Sequence, residues 1–516
     1  MPSESYSVSV HSSATHGVSL PSPSRARRRT LTVMRAIFLI HRYLGIGLGV
    51  LMALWCLSGI VMIYVPFPQL LESERLAALP TLNWSRCCRL DGPDSLPDDA
   101  KIASFQLEIL GDAPVLRLSL AGGNTRLVNP SDGRALAANG RTLNGVDQHE
   151  ARIAAAQFGA SRGLSMRSAQ YALIDHDQWT VGGFRTDRPL HWIAFNDADG
   201  TEIYVSSRTG KVVQLTTRSQ RFWSWIGAVP HWLYPSILRK HPEAWSQVVI
   251  WTSLLGSFLT VTGLYIGIRQ LKRRRRDGAL ASPYRGIMFW HHVPGLIFGT
   301  FALTWVVSGL LSMNPWGLLE SQGFHEDRAN LTGPEATVAD VRRLLDAVPR
   351  NSPTGVVSVR SATFDGRLFA ISSSLDGSRR RFDITGASAE FANGDFETAA
   401  KRLVGTAPSS WTMLTSDDTY HYSIGRAYAQ LLVLRISAGK SSPTYYYVDA
   451  ITGELVDKAD SGSRAYRWWH SGLHRLDFAA CLRTWTARTL LMLPLLIGAA
   501  FVCGTGAYLG IRRLTR

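Results

Sequence analysis

The chain has 516 residues, 46% of them hydrophobic and 18% charged, with 55 Lys and Arg against 39 Asp and Glu, a formal net charge of +16. So low a charge fraction in so long a chain points to the membrane rather than to a string of soluble domains. Five cysteines without a CxxC, a CxxCH or a Cys/His cluster exclude a disulfide-rich miniprotein, an iron–sulfur ferredoxin, a zinc ribbon and covalent c-type haem.

From the N-terminus, residues 1–35 are Ser- and Pro-rich without apolar periodicity and read as a disordered cytoplasmic tail. Four stretches then run beyond 20 residues without Asp, Glu, Lys or Arg: Tyr43 up to Glu72, Trp245–Ile268, Ile287–Leu319 and Thr489–Ile511. Each can cross a hydrocarbon core of about 30 Å as a helix. The first is too long for a cleaved signal peptide and reads as a signal anchor. The expected order is helix 36–65, outer domain 66–220, interfacial segment 221–244, helix 245–268 and basic cytoplasmic loop 269–286. Helix 287–315, outer domain 316–464, interfacial segment 465–486, helix 487–511 and cytoplasmic tail 512–516 follow.

Basic residues set the orientation. Arg25, Arg27 to Arg29 and Arg35 precede the first helix, Arg269, Lys272, Arg273 to Arg276 and Arg285 lie between the second and third, and Arg512, Arg513 and Arg516 follow the fourth. Only Glu4 and Asp277 oppose them, so the positive-inside rule places both termini and the middle loop in the cytoplasm and 66–220 and 316–464 outside. The charge excess is thus a topology signal, and a nucleic-acid partner is excluded.

Within the outer domains, Tyr204–Val213 and Tyr447–Val456 read as strand, turn, strand, with Gly210 and Gly453 in the turns. Weaker copies lie at 127–136 and 381–387, and amphipathic helices at about 146–158, 337–347 and 395–404 would pack on the sheets. Prolines 230, 235 and 242 break the approach to the second helix, so a short interfacial helix is expected there, turning His231 back over the bundle. Outside the membrane, Cys481 and one of Cys87 and Cys88 are candidates for a bridge that the sequence does not fix.

The chain also repeats itself. An offset of 243 matches Thr262, Gly263, Tyr265, Gly267, Ile268 and Arg269 with Thr505, Gly506, Tyr508, Gly510, Ile511 and Arg512, and pairs His231 with His474. An offset of 250 matches His41, Gly45, Gly49, Trp55, Ser58 and Gly59 with His291, Gly295, Gly299, Trp305, Ser308 and Gly309. The fold class is therefore membrane α plus α+β, with four helices from two parallel repeats, each bearing one outer α+β domain.

Four repeated histidines would give one facing imidazole pair near each membrane surface: His41 with His291 on the cytoplasmic side, and His231 with His474 on the outer side. That arrangement suits two haems hung in a four-helix core. Gly45 and Gly59 share a helix face with His41, and Gly295 and Gly309 repeat the pattern beside His291. Such a stripe would seat a flat macrocycle or another helix. His292, next to His291, and His470, one turn before His474, are alternative ligands.

The runs His41-Arg-Tyr-Leu-Gly45 with Leu57-Ser-Gly59, Val229-Pro-His-Trp-Leu-Tyr234, Gly472-Leu-His-Arg-Leu-Asp-Phe478 and the two Thr-Gly-x-Tyr-x-Gly-Ile-Arg endings resemble the PepSY-associated transmembrane family, over about 35–516. The strand-turn-strand stretches are similar to its outward-facing PepSY modules. The resemblance implies an iron-regulated inner-membrane protein or haem-containing siderophore-iron reductase, with two haems b ligated by His41, His231, His291 or His292, and His474. The function expected is reduction of a ferric siderophore or other ferric chelate on the periplasmic side of a bacterial inner membrane. Cytoplasmic segments this short hold no flavin or nicotinamide domain, so a membrane quinol or another protein would supply electrons. The alternatives are a cofactor-free PepSY regulator or binding module, and a transporter, against which stands the lack of Asp or Glu in any span.

Overall fold

The structure, a computed structural model, describes residues 25–515 except 89, 91–95, 131–144, 274–279, 408, 424–430 and 440–441. Arg25–Tyr64, Pro242–Gln270, Ile287–Ser312 and Trp485–Leu514 are helices, each with a stretch long and apolar enough to cross a membrane. This is a multi-pass membrane protein with sheet-rich α+β regions. The first helix packs against the second and fourth, and the third against the same two, closing a four-membered ring.

Lipid-like surroundings give helices no hydrophobic drive to associate, so close approach of small residues matters. A Cβ at Gly49 would sit 3.4 Å from Ala507 of the fourth helix, and one at Gly256 3.2 Å from both Met52 and Val306. Gly299 similarly meets Leu264 at 3.2 Å.

Outside the bundle, the described residues form three larger sheets, besides a two-stranded pairing of Lys272–Arg273 with Leu280–Ala281. Two have four antiparallel strands: Gln170–Ile174, Leu190–Ala194, Glu202–Ser206 and Val212–Thr216 in one, Ser409–Leu414, Val433–Ala438, Thr444–Asp449 and Leu455–Ala459 in the other. Helix Gln148–Ala160 covers the first of these with Ala151, Ala154, Ala155 and Phe158. Helix Asn393–Val404 covers the second with Phe396, Ala399 and Leu403. Both hairpin turns place glycine at positive φ, +68° at Gly210 and +77° at Gly453. The weaker hairpin at 381–387 is present, with Gly386 at φ +79° and Phe382 bridging to Ser388. Its counterpart at 127–136 lies largely outside the described residues.

The third sheet was not foreseen. Its strands run Arg379–Phe382, Arg367–Ser374, Val356–Phe364, Lys101–Leu110, Ala113–Leu120 and Thr125–Val128, and the short Ala336–Thr337 also pairs with Lys101–Leu110, so that three strands come from the segment after the first membrane helix and four from the segment after the third. The join is antiparallel, with Gln106 opposite Arg360, Leu107 opposite Val359 and Glu108 opposite Ser358. The two outer regions therefore share a sheet and a core in which Leu107, Leu116, Val359 and Ala370 are fully enclosed. On it lies helix Val338–Ala347, whose Thr337 cap accepts the Asp340 N–H and which buries Val341, Leu344 and Leu345. Leu82, Trp84, Cys88 and Leu90 pack against the same core from the first half.

Cys87 is bonded to its neighbour Cys88, and Cys481 is free and exposed. At the junction of the sheets Glu108, 1% exposed, accepts from Arg75 Nη2 at 2.6 Å, Arg117 Nη1 at 2.9 Å and Ser358 Oγ at 3.1 Å. Burial alone would raise this carboxyl, but the two guanidiniums outweigh it and hold it at about 2.

Candidate functional site: two imidazole pairs in the bundle

After the first four-stranded sheet, Thr217 caps Arg218–Ile226, and Ala228–His231 and Ser236–Arg239 follow as single turns before Pro242 starts the second helix. Pro230 and Pro235 supply no N–H, so the chain cannot continue one helix through them. The break turns His231 onto the first membrane helix, where its Nδ1 lies 3.1 Å from the Trp55 carbonyl and 3.2 Å from Ser58 Oγ.

In the second half, Ser461–Tyr466, the wide turn Arg467–Gly472 and Leu473–Arg475 perform the same return. His474 Nδ1 meets Ser308 Oγ of the third membrane helix at 3.0 Å. Asp477 anchors this loop by accepting from Arg467 at 3.2 Å and Arg483 at 2.9 Å, with both Asp477 and Arg467 buried. The rings of His231 and His474 consequently stand 6.0 Å apart, centre to centre.

The other pair lies toward the opposite end of the bundle. His41 Nδ1 is 3.0 Å from the Leu259 carbonyl of the second helix, and His291 Nδ1 is 3.2 Å from both the Val502 carbonyl and Thr505 Oγ1 of the fourth. The two rings are 6.4 Å apart. Since Trp55 and Ser58 lie 14 and 17 residues beyond His41, the two pairs are separated by about 21–26 Å along the helix axis at 1.5 Å per residue.

All four rings share one chemical feature. Nδ1 of His41, His231 and His291 donates its proton to a backbone carbonyl and that of His474 sits against a hydroxyl, while Nε2 of each ring has no hydrogen-bond partner among the described residues. That is the form in which a neutral imidazole binds a metal. A metal held by two imidazoles at about 2.0 Å per bond would need ring centres roughly 6 Å apart, and the two pairs stand at 6.4 and 6.0 Å. Among the described residues no group of three or more His, Cys, Asp or Glu could hold a metal ion. A pair of histidines is nevertheless what a haem needs, because the porphyrin brings the other four nitrogens. The residues present therefore fit two bis-histidine haems.

The glycines divide by role. A Cβ at Gly59 would sit 3.4 Å from His231 Cε1, while Gly309 has nothing within 4 Å. Gly45 and Gly295 look onto Leu259 and Val502 at 3.8 and 3.7 Å, ordinary contact with the residues whose carbonyls hold the inner histidines. The glycines that most tightly limit the site are others, Gly263 and Gly506, where a Cβ would fall 2.6 Å from His41 Cε1 and 2.9 Å from His291 Cε1. The repeated Thr262-Gly263 and Thr505-Gly506 pairs carried that signal in the sequence. Half-buried Trp55 and buried Trp305 are a further matched pair, each with a buried indole N–H that finds no protein partner among the described residues.

The structure does not bring His292 into either pair. Its Nδ1 contacts Ser282 Oγ and its Nε2 the Gly267 carbonyl, each at 2.8 Å, so both nitrogens are engaged by protein. His470 does approach the outer site, with its ring 5.3 Å from that of His474 and its Nδ1 3.0 Å from the Ser308 carbonyl.

This order of motifs is not peculiar to the chain. A family model described as PepSY-associated TM region matches residues 38–513, which takes in all four membrane helices and all four paired histidines. The chain belongs to this family. No curated protein matches it. Family membership is thus established over nearly the whole PepSY-associated chain, and the chemistry rests on the geometry just described.

Proposed function

We propose that the protein is a haem-bearing electron-transfer protein of a bacterial inner membrane that reduces a ferric siderophore or other ferric chelate on the periplasmic side. The observation that carries this reading is the pair of imidazole couples at 6.4 and 6.0 Å, each ring with an Nε2 that has no hydrogen-bond partner among the described residues. Haem b, which His41 with His291 and His231 with His474 would hold, would supply one-electron transfer. The chain's own part is to hold Nδ1 of each ring against a carbonyl or a hydroxyl, to space the rings and to exclude water with the apolar bundle. Matching contacts support two parallel repeats: Leu259 and Val502 serve His41 and His291, and Ser58 and Ser308 serve His231 and His474. The basic loops support cytoplasmic termini and periplasmic sheets. Electrons would enter from quinol or a partner protein.

The test is the absorption spectrum of protein purified after expression with haem available. The expected result is a Soret band with split reduced α and β peaks, about halved by His231→Ala or His474→Ala and again by His41→Ala. A folded, colourless preparation would overturn the reading and leave a cofactor-free PepSY binding module.

A further inference from the structure

Beside the outer end of the second membrane helix the first sheet region leaves an open groove of about 450 Å³. Its walls carry Arg185, Arg188 and Lys240 with His176 and His241, against one carboxylate, Asp175. Asp175 is already engaged, 2.5 Å from His176 Nδ1 and 3.7 Å from Arg188 Nη1. Arg188 Nη2 donates to the carbonyls of Thr180, Val181 and Gly183, which ties the 180–188 loop into a fixed shape. Arg185 and Lys240 are exposed and have no acidic partner among the described residues. Two uncompensated cations thus face one preformed groove.

The comparable position in the second half differs. Arg483, 243 residues after Lys240, is paired with Asp477 at 2.9 Å, and Asp418, 243 residues after Asp175, is paired with Arg435 at 3.2 Å. Among the described residues, then, the cation at the position matching Lys240 is neutralised in the second half.

The surroundings say what kind of anion suits it. Pro242, in the groove wall, is the first residue of the membrane helix. On the short turn before it Ile237 is 75% exposed, and Trp232 is exposed as well. Arg239 stacks over Trp245 at 4.4 Å and Tyr234 at 5.3 Å, an aromatic cluster of the kind found at headgroup level. Cations lining the groove and exposed apolar side chains on the adjoining turn match a molecule with an anionic head and a hydrocarbon tail, whereas a free anion would use only the cations.

We propose that this groove binds the phosphate of an anionic phospholipid from the leaflet on the sheet side of the bundle, through Arg185 and Lys240. The proposal requires the membrane span but neither haem nor the reductase reading.

Native mass spectrometry of the full chain, with phosphatidylglycerol or phosphatidylcholine added to the detergent, provides the test. Phosphatidylglycerol is expected to be retained preferentially. The double variant Arg185→Gln/Lys240→Gln should weaken that retention roughly 30-fold, about fivefold per cation, with an unchanged lipid-free unfolding temperature. Both positions are exposed, and each single variant should show its own partial loss. Equal retention by wild type and double variant would overturn the proposal. Inorganic phosphate alone raising the unfolding temperature as far as phosphatidylglycerol does would overturn the assignment to lipid.

Discussion

Gly506→Ala isolates the room that the bundle makes for an imidazole. The new Cβ would lie 2.9 Å from His291 Cε1, where ordinary carbon contacts fall at about 3.5–4.0 Å, so the ring must retreat from the fourth helix by about 0.5–1 Å. Its Nδ1 contacts to Val502 and Thr505, both 3.2 Å, already sit at the long end of the hydrogen-bonding range and would be lost. Overpacking costs about 1–3 kcal/mol, while replacing a helical glycine by alanine returns about 0.5–1 kcal/mol. Gly504 is the internal control, on the same helix with nothing within 4 Å of its would-be Cβ, so Gly504→Ala should gain only the propensity term. The two variants should therefore differ by about 1–3 kcal/mol, read as opposite shifts in detergent unfolding temperature. Gly506→Ala should also perturb the Soret band of the inner site alone. Equal upward shifts in both variants, with spectra unchanged, would refute the account of the glycine.

Three further outcomes follow from other parts of the molecule. Glu108→Gln leaves Arg75 and Arg117 buried without their carboxylate and should destabilise the shared sheet by about 3–5 kcal/mol, measured as the loss in urea midpoint of the sheet signal. Because the folded Glu108 carboxyl is held at about 2, below its unfolded value near 4.3, it stabilises fully above about pH 4.5 and less as pH falls toward 2. The wild type should therefore lose stability across that window and the Gln variant should not. Thr337→Ala removes the cap of Val338–Ala347 and should cost about 1 kcal/mol in the same unfolding assay, a loss that Thr337→Ser restores. Under non-reducing conditions a membrane-impermeant maleimide added to spheroplasts should label Cys481, which is exposed and free, but not Cys87 or Cys88 until they are reduced. Labelling only of inverted vesicles would reverse the proposed orientation.

How much of this was legible depended on the range of the interaction that decides each feature. Apolar runs are local, so the four helices were readable from uncharged stretches such as Ile287–Leu319. Hairpin turns are local too, which is why Thr-Gly at 209–210 and 452–453 marked them correctly. The helix expected at about 146–158 from amphipathic spacing, another local property, is present as Gln148–Ala160. Residue-type coincidence at a fixed offset, with the order of the helices, pointed to the histidines and to both facing pairs. It could not tell His291 from its neighbour His292, because adjacent helical positions differ by about 100° and only the packed bundle decides which ring faces inward.

The tertiary structure alone decided the rest. The join of Lys101–Leu110 to Val356–Phe364 is made by backbone hydrogen bonds between segments some 250 residues apart, and such bonds leave no side-chain signature. The engaged Nε2 of His292, the carbonyls of Leu259 and Val502 under the inner rings, and the close approach of Gly263 and Gly506 exist only once helices cross. Periodicity and charge, being properties of one segment and its solvent, were written in the sequence. Spacing between imidazoles is a property of four helices at once, and it was fixed when their small residues let them come together.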